Sequence, residues 1–249
     1  MANKFQSPLA TQIVPDLSKV RTVKGEKTTL AKELVKRKPW GLLLHTSGRG
    51  VPAKAVKTGK SVMDVALSAY LNSQNGSNGY LWGGPTYILG HKGESLQICD
   101  EDIRTHHAGG PDRANYLSGK WIELASKQMV AHWFSRWGPK FKNPQQLYPS
   151  TSPNVDYVGV EMIPCGGGLG TPMREGLLFT KEEHDKVIEL GKDLAKRHGW
   201  PKGWAKTSRL LGHEDVQPIE RDDLKGGWDP GFLREKPYFD FEYVRAGLI

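Results

Sequence analysis

Cysteine is scarce: Cys99 and Cys165 are the only two in 249 residues. They lie far apart without a CxxC spacing, which excludes a disulfide framework and makes a reducing compartment during folding the simpler reading. The start, Met1 to Pro8, has no basic segment leading into an unbroken apolar one, so no secretory signal is expected. No later run approaches the length of a membrane span. Internal repeats are absent, as is any convincing linker. The glycine-rich run from Cys165 to Gly170 has no Lys-Ser/Thr after it and lacks the dinucleotide spacing, which excludes a phosphate-binding loop and leaves a mobile loop.

Hydrophobic residues make up 37% of the chain, enough for the core of an ordinary soluble domain. The excess of 35 Lys+Arg over 27 Asp+Glu, a net +8, favours polyanionic surroundings such as nucleic acid, anionic lipid or charged cell-wall polymer, without choosing among them. Residues 1–25 carry scattered Pro, Lys and Val and read as an N-terminal arm. Thr28 or Thr29 is expected to cap a short helix through Lys38, which Pro39 ends. Ser61 opens a scaffold helix carrying Val62, Val65, Ala66, Ala69 and Tyr70, and the Asn/Ser/Gly-rich stretch after it holds Tyr80 and Trp82, which either pack or line a groove.

Trp40 to His45 is a short continuous apolar run ending in a polar group, the pattern of a buried central strand that delivers a side chain to the edge of a sheet. Arg209 to His213 repeats the device. Pro85–Gly90 and Glu94–Cys99 flank a short glycine-containing turn and predict a hairpin. Tyr157–Ile163 alternates so that Val158, Val160 and Met162 share one face and Glu161 takes the other. A carboxylate inside such a strand is costly without a partner, so Glu161 is either a functional acid/base or one half of a buried salt bridge. Of the adjacent pair His106 and His107, at most one faces a given site. Residues 120–137, with Ile122, Ala125, Met129, Trp133 and Trp137 at helical spacing, predict one helix with a packing face. Thr180 and Glu183 form a capping-box signature opening a helix to about His198.

His45, His213 and Asp229 stand out as loop-end or strand-end donors. Two neutral imidazoles and a carboxylate leave one tetrahedral position open on Zn²⁺, as a hydrolytic site requires. The order of elements predicts a single α/β domain with a central mixed β-sheet flanked by helices.

Leu42 to Thr46, Tyr87 to Gly90 with Gly93, His107-Ala108-Gly109, Val158 to Glu161, and Gly212 to Asp215 followed by Asp229-Pro230-Gly231 occur in that order. In these segments, over about residues 40–235, the chain resembles the zinc-dependent N-acetylmuramoyl-L-alanine amidases, the type 2 amidase and peptidoglycan recognition protein family that includes phage lysins. The resemblance implies an amidase catalytic domain over residues 26–249 with a long insertion at about 110–156. It implies His45, His213 and Asp229 as Zn²⁺ ligands, Glu161 as acid/base, and His107 and Tyr87 on the substrate side. Arg221 is expected to steady the oxyanion, with Lys225 the alternative, and Asp223 rivals Asp229 as third ligand. Pro85 stands where many members carry an aromatic residue. The expected partner is peptidoglycan rather than nucleic acid, with phage virion or lysis proteins as further partners. The expected setting is synthesis in the cytoplasm without a signal peptide and action on the cell wall, either released by lysis as a bacteriophage endolysin is or carried on the virion. The other readings of such a chain are a non-catalytic peptidoglycan-binding or virion structural protein, and a metallopeptidase of the stem peptide.

Overall fold

The computed structural model describes residues 5–12, 20–23, 26–29, 36–46, 84–108, 113–166, 177–225, 229–230 and 239–249. In chain order the strands are β1 (Thr11–Gln12), β2 (Val20–Val23), β3 (Glu26–Thr29), β4 (Gly41–Thr46), β5 (Tyr87–Gly90), β6 (Ser95–Gln97), β7 (Tyr157–Ile163), β8 (Cys165–Gly166), β9 (Leu177–Leu178) and β10 (Leu210–Gly212). The helices are α1 (Arg113–Leu117), α2 (Trp121–Leu124), α3 (Lys127–Trp137), α4 (Pro153–Asp156), α5 (Lys181–His198), α6 (His213–Val216) and α7 (Phe241–Gly247).

Six strands form one mixed sheet in the order β1-β6-β5-β7-β4-β10. β10, β4, β7 and β5 run parallel, β6 runs antiparallel to β5, and β1 pairs in parallel with β6. β4 and β7 are buried at every position, which is what their near-continuous apolar runs require of interior strands. Alternation along the strands divides the core. Leu42, Leu44, Val158, Val160, Met162 and Leu210 pack against Val187, Leu190 and Leu194 of α5 and Val244 of α7. Leu43, Tyr157 and Leu211 face the other way, onto Trp121, Met129, Trp133 and Trp137. The single α/β domain with helices on both faces of a mixed sheet is therefore the architecture the sequence implies.

The hairpin forms as expected, and so does α5, whose Thr180 cap accepts from Glu183 N while Glu183 closes the capping box; Gly199, at φ 66°, ends it. Two expectations about helices are corrected. Thr28 and Thr29, the expected caps, lie in β3, paired with β2, and Lys36 makes an antiparallel bridge to Ile103, while residues 30–35 of the expected helix lie outside the described residues. The valines and threonines of residues 20–29 favour an extended pair over the first turn of a helix. The second correction is a break at residues 125–126 in the expected 120–137 helix. Ser126 takes an extended conformation, accepts from Met129 N at 3.1 Å, and gives its own N–H and hydroxyl to Asp222. Trp121, Met129, Trp133 and Trp137 are buried as expected, but the break leaves Ile122 exposed at 44%.

Residues 5–12 run along the outer edge of the sheet. Ser7 N donates to Gln97 Oε1 and its hydroxyl to Asp193 Oδ2, and Ser95 donates to Leu9 O. Helices α1 to α4 fall inside the 110–156 segment. Cys165 and Gly166 pair with Leu177 and Leu178 as a small separate ribbon. The expected Ser61 helix, Tyr80, Trp82 and residues 167–170 lie outside the described residues. No helix among the described residues is long and apolar enough to cross a membrane.

Candidate metal centre

The parallel pairing of β4 with β7 puts His45 opposite Glu161, and the pairing of β4 with β10 puts Gly212 opposite Leu44. His213, the next residue, therefore leaves β10 beside His45. Paired residues of parallel strands project to the same face, so His45 and Glu161 stand side by side, one step beyond Leu43 and Gly159. All this lies at the carboxyl ends of the parallel strands, where open α/β sheets place their ligands.

Asp229 arrives from a distant part of the chain and is held at both ends. Its carbonyl accepts from Glu214 N at 3.1 Å, and its Oδ1 accepts from Thr46 N at 2.7 Å. Oδ2 is thereby turned toward the histidines, 2.5 Å from His213 Nδ1 and 3.5 Å from His45 Nδ1, while the two Nδ1 atoms are 3.0 Å apart. The three residues are buried and form a group able to hold a metal ion. Ligand bonds of about 2 Å at tetrahedral angles separate donor atoms by about 3.3 Å. The 3.0 and 3.5 Å spacings bracket that value, the 2.5 Å one is a hydrogen-bond distance, and the nitrogen and oxygen donors suit a small divalent cation.

Electrostatics prepare the same set. Burial pushes His213 down to about 4, outweighing the attraction of Asp229, so its ring is neutral at physiological pH. Burial alone would raise the Asp229 carboxyl, but His213 and His45 together hold it well below the usual carboxylate range. Neutral imidazole and ionised carboxylate are the ligand forms. His213 Nε2 is buried and has no hydrogen-bond partner among the described residues.

Glu161 is buried beside His45. Arg221 reaches toward the centre from the loop before Asp229, with Nε 3.8 Å from Asp229 Oδ2 and the side chain 35% exposed. Lys225 instead donates to Leu124 O. The side chain of Asp223, on a 3-10 turn with Lys225, lies outside the described residues. His107 packs against His45, its Nδ1 2.8 Å from His45 Nε2 and its Nε2 3.2 Å from Tyr157 O. Tyr87 is corrected as a substrate contact: it is fully buried in the core, its hydroxyl donating to Glu101, where no substrate reaches it.

Several supporting groups escaped the sequence reading. Asp215 accepts from Gly212 N, Trp137 Nε1 and Arg136, while its carbonyl accepts from Trp133 Nε1, which ties α3 to the turn carrying His213. His132, Glu214 and Asp215 form a second cluster with metal-ligand spacing, but the Arg136 guanidinium already supplies its cation, 2.9 Å from Asp215 and 3.5 Å from Glu214. Gly159 was the available signal. A glycine inside a buried strand marks a close approach, and a Cβ there would meet the His107 ring at 2.5 Å.

No protein-family model matches the chain, and no curated protein matches it. Among solved structures, it is similar to the N-acetylmuramoyl-L-alanine amidase LysC from Clostridium intestinale URNW, at 13% identity and a TM-score of 0.46 over 97% of this chain and 98% of that one. It is similar to a selenomethionine derivative of AmpD at 16% identity and a TM-score of 0.48, over 100% of this chain and 99% of that one. A Drosophila peptidoglycan recognition protein, PGRP-SD, follows at 17% identity and a TM-score of 0.43, over 82% of this chain and 79% of that one. Likeness at this level carries no residue role and no activity to this chain.

Proposed function

We propose that the chain is a zinc-dependent N-acetylmuramoyl-L-alanine amidase of the type 2 amidase and peptidoglycan recognition protein family. Its reaction is hydrolysis of the amide joining the lactyl group of N-acetylmuramic acid to L-alanine of the peptidoglycan stem. The observation that carries this reading is the convergence of His45, His213 and Asp229 at the carboxyl ends of adjacent strands, with Glu161 in register beside His45. A pure binding protein has no need of a three-donor set with an open fourth position next to a buried carboxylate. The motifs, their order and the excess of positive charge suit a phage lysin acting on an anionic cell envelope.

His45 Nδ1, His213 Nδ1 and Asp229 Oδ2 are the atoms that would hold the ion. Zn²⁺, when bound, supplies a Lewis acid and lowers the pKa of coordinated water to about 7. Thr46 N–H fixes the Asp229 carboxylate so that Oδ2 keeps its direction. Glu161 takes the proton of the attacking water and returns one to the L-alanine nitrogen as the C–N bond breaks. Arg221, with its Nε beside Asp229 and its side chain partly exposed, would face the negative charge that develops on the amide oxygen. Lys225, engaged with Leu124 O, is turned to another task.

The test is mass spectrometry of peptidoglycan digested with the full chain and zinc. The expected products are intact stem peptides with free N-terminal L-alanine and glycan carrying the free lactyl carboxyl. Cuts within the stem would replace this reading with a peptidase, and undigested wall that nevertheless retains the protein would replace it with a binder.

A further inference from the structure

The contact between His107 and His45 sets the state of the first ligand. Tyr157 O is an acceptor only, so the His107 nitrogen that meets it, Nε2, carries the hydrogen. With its hydrogen on Nε2, the neutral His107 ring presents Nδ1 as a bare acceptor toward His45. The 2.8 Å contact from His45 Nε2 to that acceptor requires the hydrogen on His45 Nε2. In neutral His45 the remaining nitrogen, Nδ1, is then bare, and it is the nitrogen that points at His213 Nδ1 and Asp229 Oδ2.

The surroundings hold His107 in this pose. Asn154 Oδ1 accepts from the backbone N–H groups of His107 and Ala108, at 3.0 and 2.8 Å, and Asn154 Nδ2 donates to Ala108 O at 2.7 Å. Arg37, buried, donates to Asn154 O and Tyr157 O, fixing the acceptor at the far end of the relay. Gly159, facing the ring from β7, leaves the space the imidazole fills.

We propose that His107 is a positioning residue that locks His45 into its Nε2-protonated tautomer, through the relay His45 Nε2–H to His107 Nδ1 and His107 Nε2–H to Tyr157 O, so that His45 Nδ1 is presented ready to bind metal. Both ring nitrogens of His107 are spent inside the protein, a different place from the substrate-side one that the resemblance implies. The relevance to zinc rests on the proposed ligand set, but the tautomer is a property of the metal-free chain.

The experiment is imidazole nitrogen NMR on the ¹⁵N-histidine-labelled, metal-free full chain, with zinc titrated alone by competition against a chelating dye. The expected spectrum of the wild type shows His45 protonated at Nε2 and bare at Nδ1; a His45 protonated at Nδ1 overturns the proposal whatever the variants do. H107A is expected to mix the His45 tautomers and weaken zinc 10–100-fold, the usual cost of losing a partner of a metal-ligating histidine. H107Q, which keeps an acceptor, is expected to recover part of both. An unchanged tautomer and unchanged zinc affinity in H107A reduce the residue to packing. Wild type that binds no zinc yet shows the Nε2–H tautomer would overturn the proposed function and leave the relay standing, whereas peptidoglycan cleavage with the opposite tautomer would do the reverse.

Discussion

Single residues divide the chemistry by what each can lose. Glu161 is held in the sheet beside His45 but contributes none of the clustered donor atoms, so Glu161→Gln keeps the shape and the proposed ligand set while removing the proposed proton carrier. The expected result is stoichiometric zinc, measured by elemental analysis, with wall hydrolysis reduced about 10²–10⁴-fold. Turnover at the wild-type rate would remove Glu161 from the mechanism. Arg221 is the complementary case, a charge at the rim of the site with Nε 3.8 Å from Asp229 Oδ2. Arg221→Ala is expected to lower kcat by about 10–10³-fold with zinc retained, as for loss of one charge-stabilising donor. A change confined to KM would make it a binding group. Glu161 is the residue whose place the sequence exposed best, because an acid in an apolar strand contradicts its own surroundings, and the register sets it beside His45. Tyr87 shows the opposite: its pattern is equally that of a core tyrosine, and only the buried partner Glu101 decides the matter.

Secondary-structure elements were legible where the local signal and the tertiary demand agree. β4 and β10 announce themselves as apolar runs ending in histidine, and α5 as a capping box with inward-facing leucines. The break before α3 was not legible, because it is imposed by Asp222, nearly a hundred residues away in sequence, which captures both polar groups of Ser126. That pairing and the Tyr116–Glu220 hydrogen bond lie on either side of Arg221, so helices of the 110–156 segment fasten the loop that carries it. Glu101 joins the segment after the hairpin to the end of α5. It accepts from Arg197 at 2.5 and 2.6 Å, from His198 and from Tyr87. Burial alone would raise its pKa, but those bonds hold it below the ordinary 4.5. A carboxyl with a depressed folded pKa stabilises the fold above its unfolded pKa, and that contribution is lost as the pH falls from 4.5 through the lower folded value. Glu101→Gln is therefore expected to cost about 3–5 kcal/mol at neutral pH, because it strips a partner from buried charges. Urea unfolding at a series of pH values checks the sign: the gap between wild type and variant should narrow below 4.5, and a constant gap would mean that the network acts by packing alone.

Over the whole molecule the centre joins parts that are remote in sequence, since His45, His213 and Asp229 come from a central strand, the turn after an outer strand and a late loop. The unfolded chain has no such constellation, so metal bound to the native state alone stabilises the entire domain by mass action. At free zinc a thousandfold above Kd the gain is about 4 kcal/mol. In a domain of this length each kcal/mol moves Tm by about 2–4 °C, so chelation is expected to lower Tm by roughly 10 °C and zinc to restore it. His45→Ala should melt at one temperature with or without chelator, because two donors remain where three are needed. The linkage also separates the assembled site from the sheet that carries it. Leu42, Leu44, Val158 and Val160 stay buried whether or not a metal binds, so the variant should still unfold cooperatively. A wild-type Tm insensitive to both chelator and zinc would sink the metal assignment even if the fold is right, because a buried pair of facing histidine nitrogens with a carboxylate against them cannot bind a cation without lowering the free energy of the folded state.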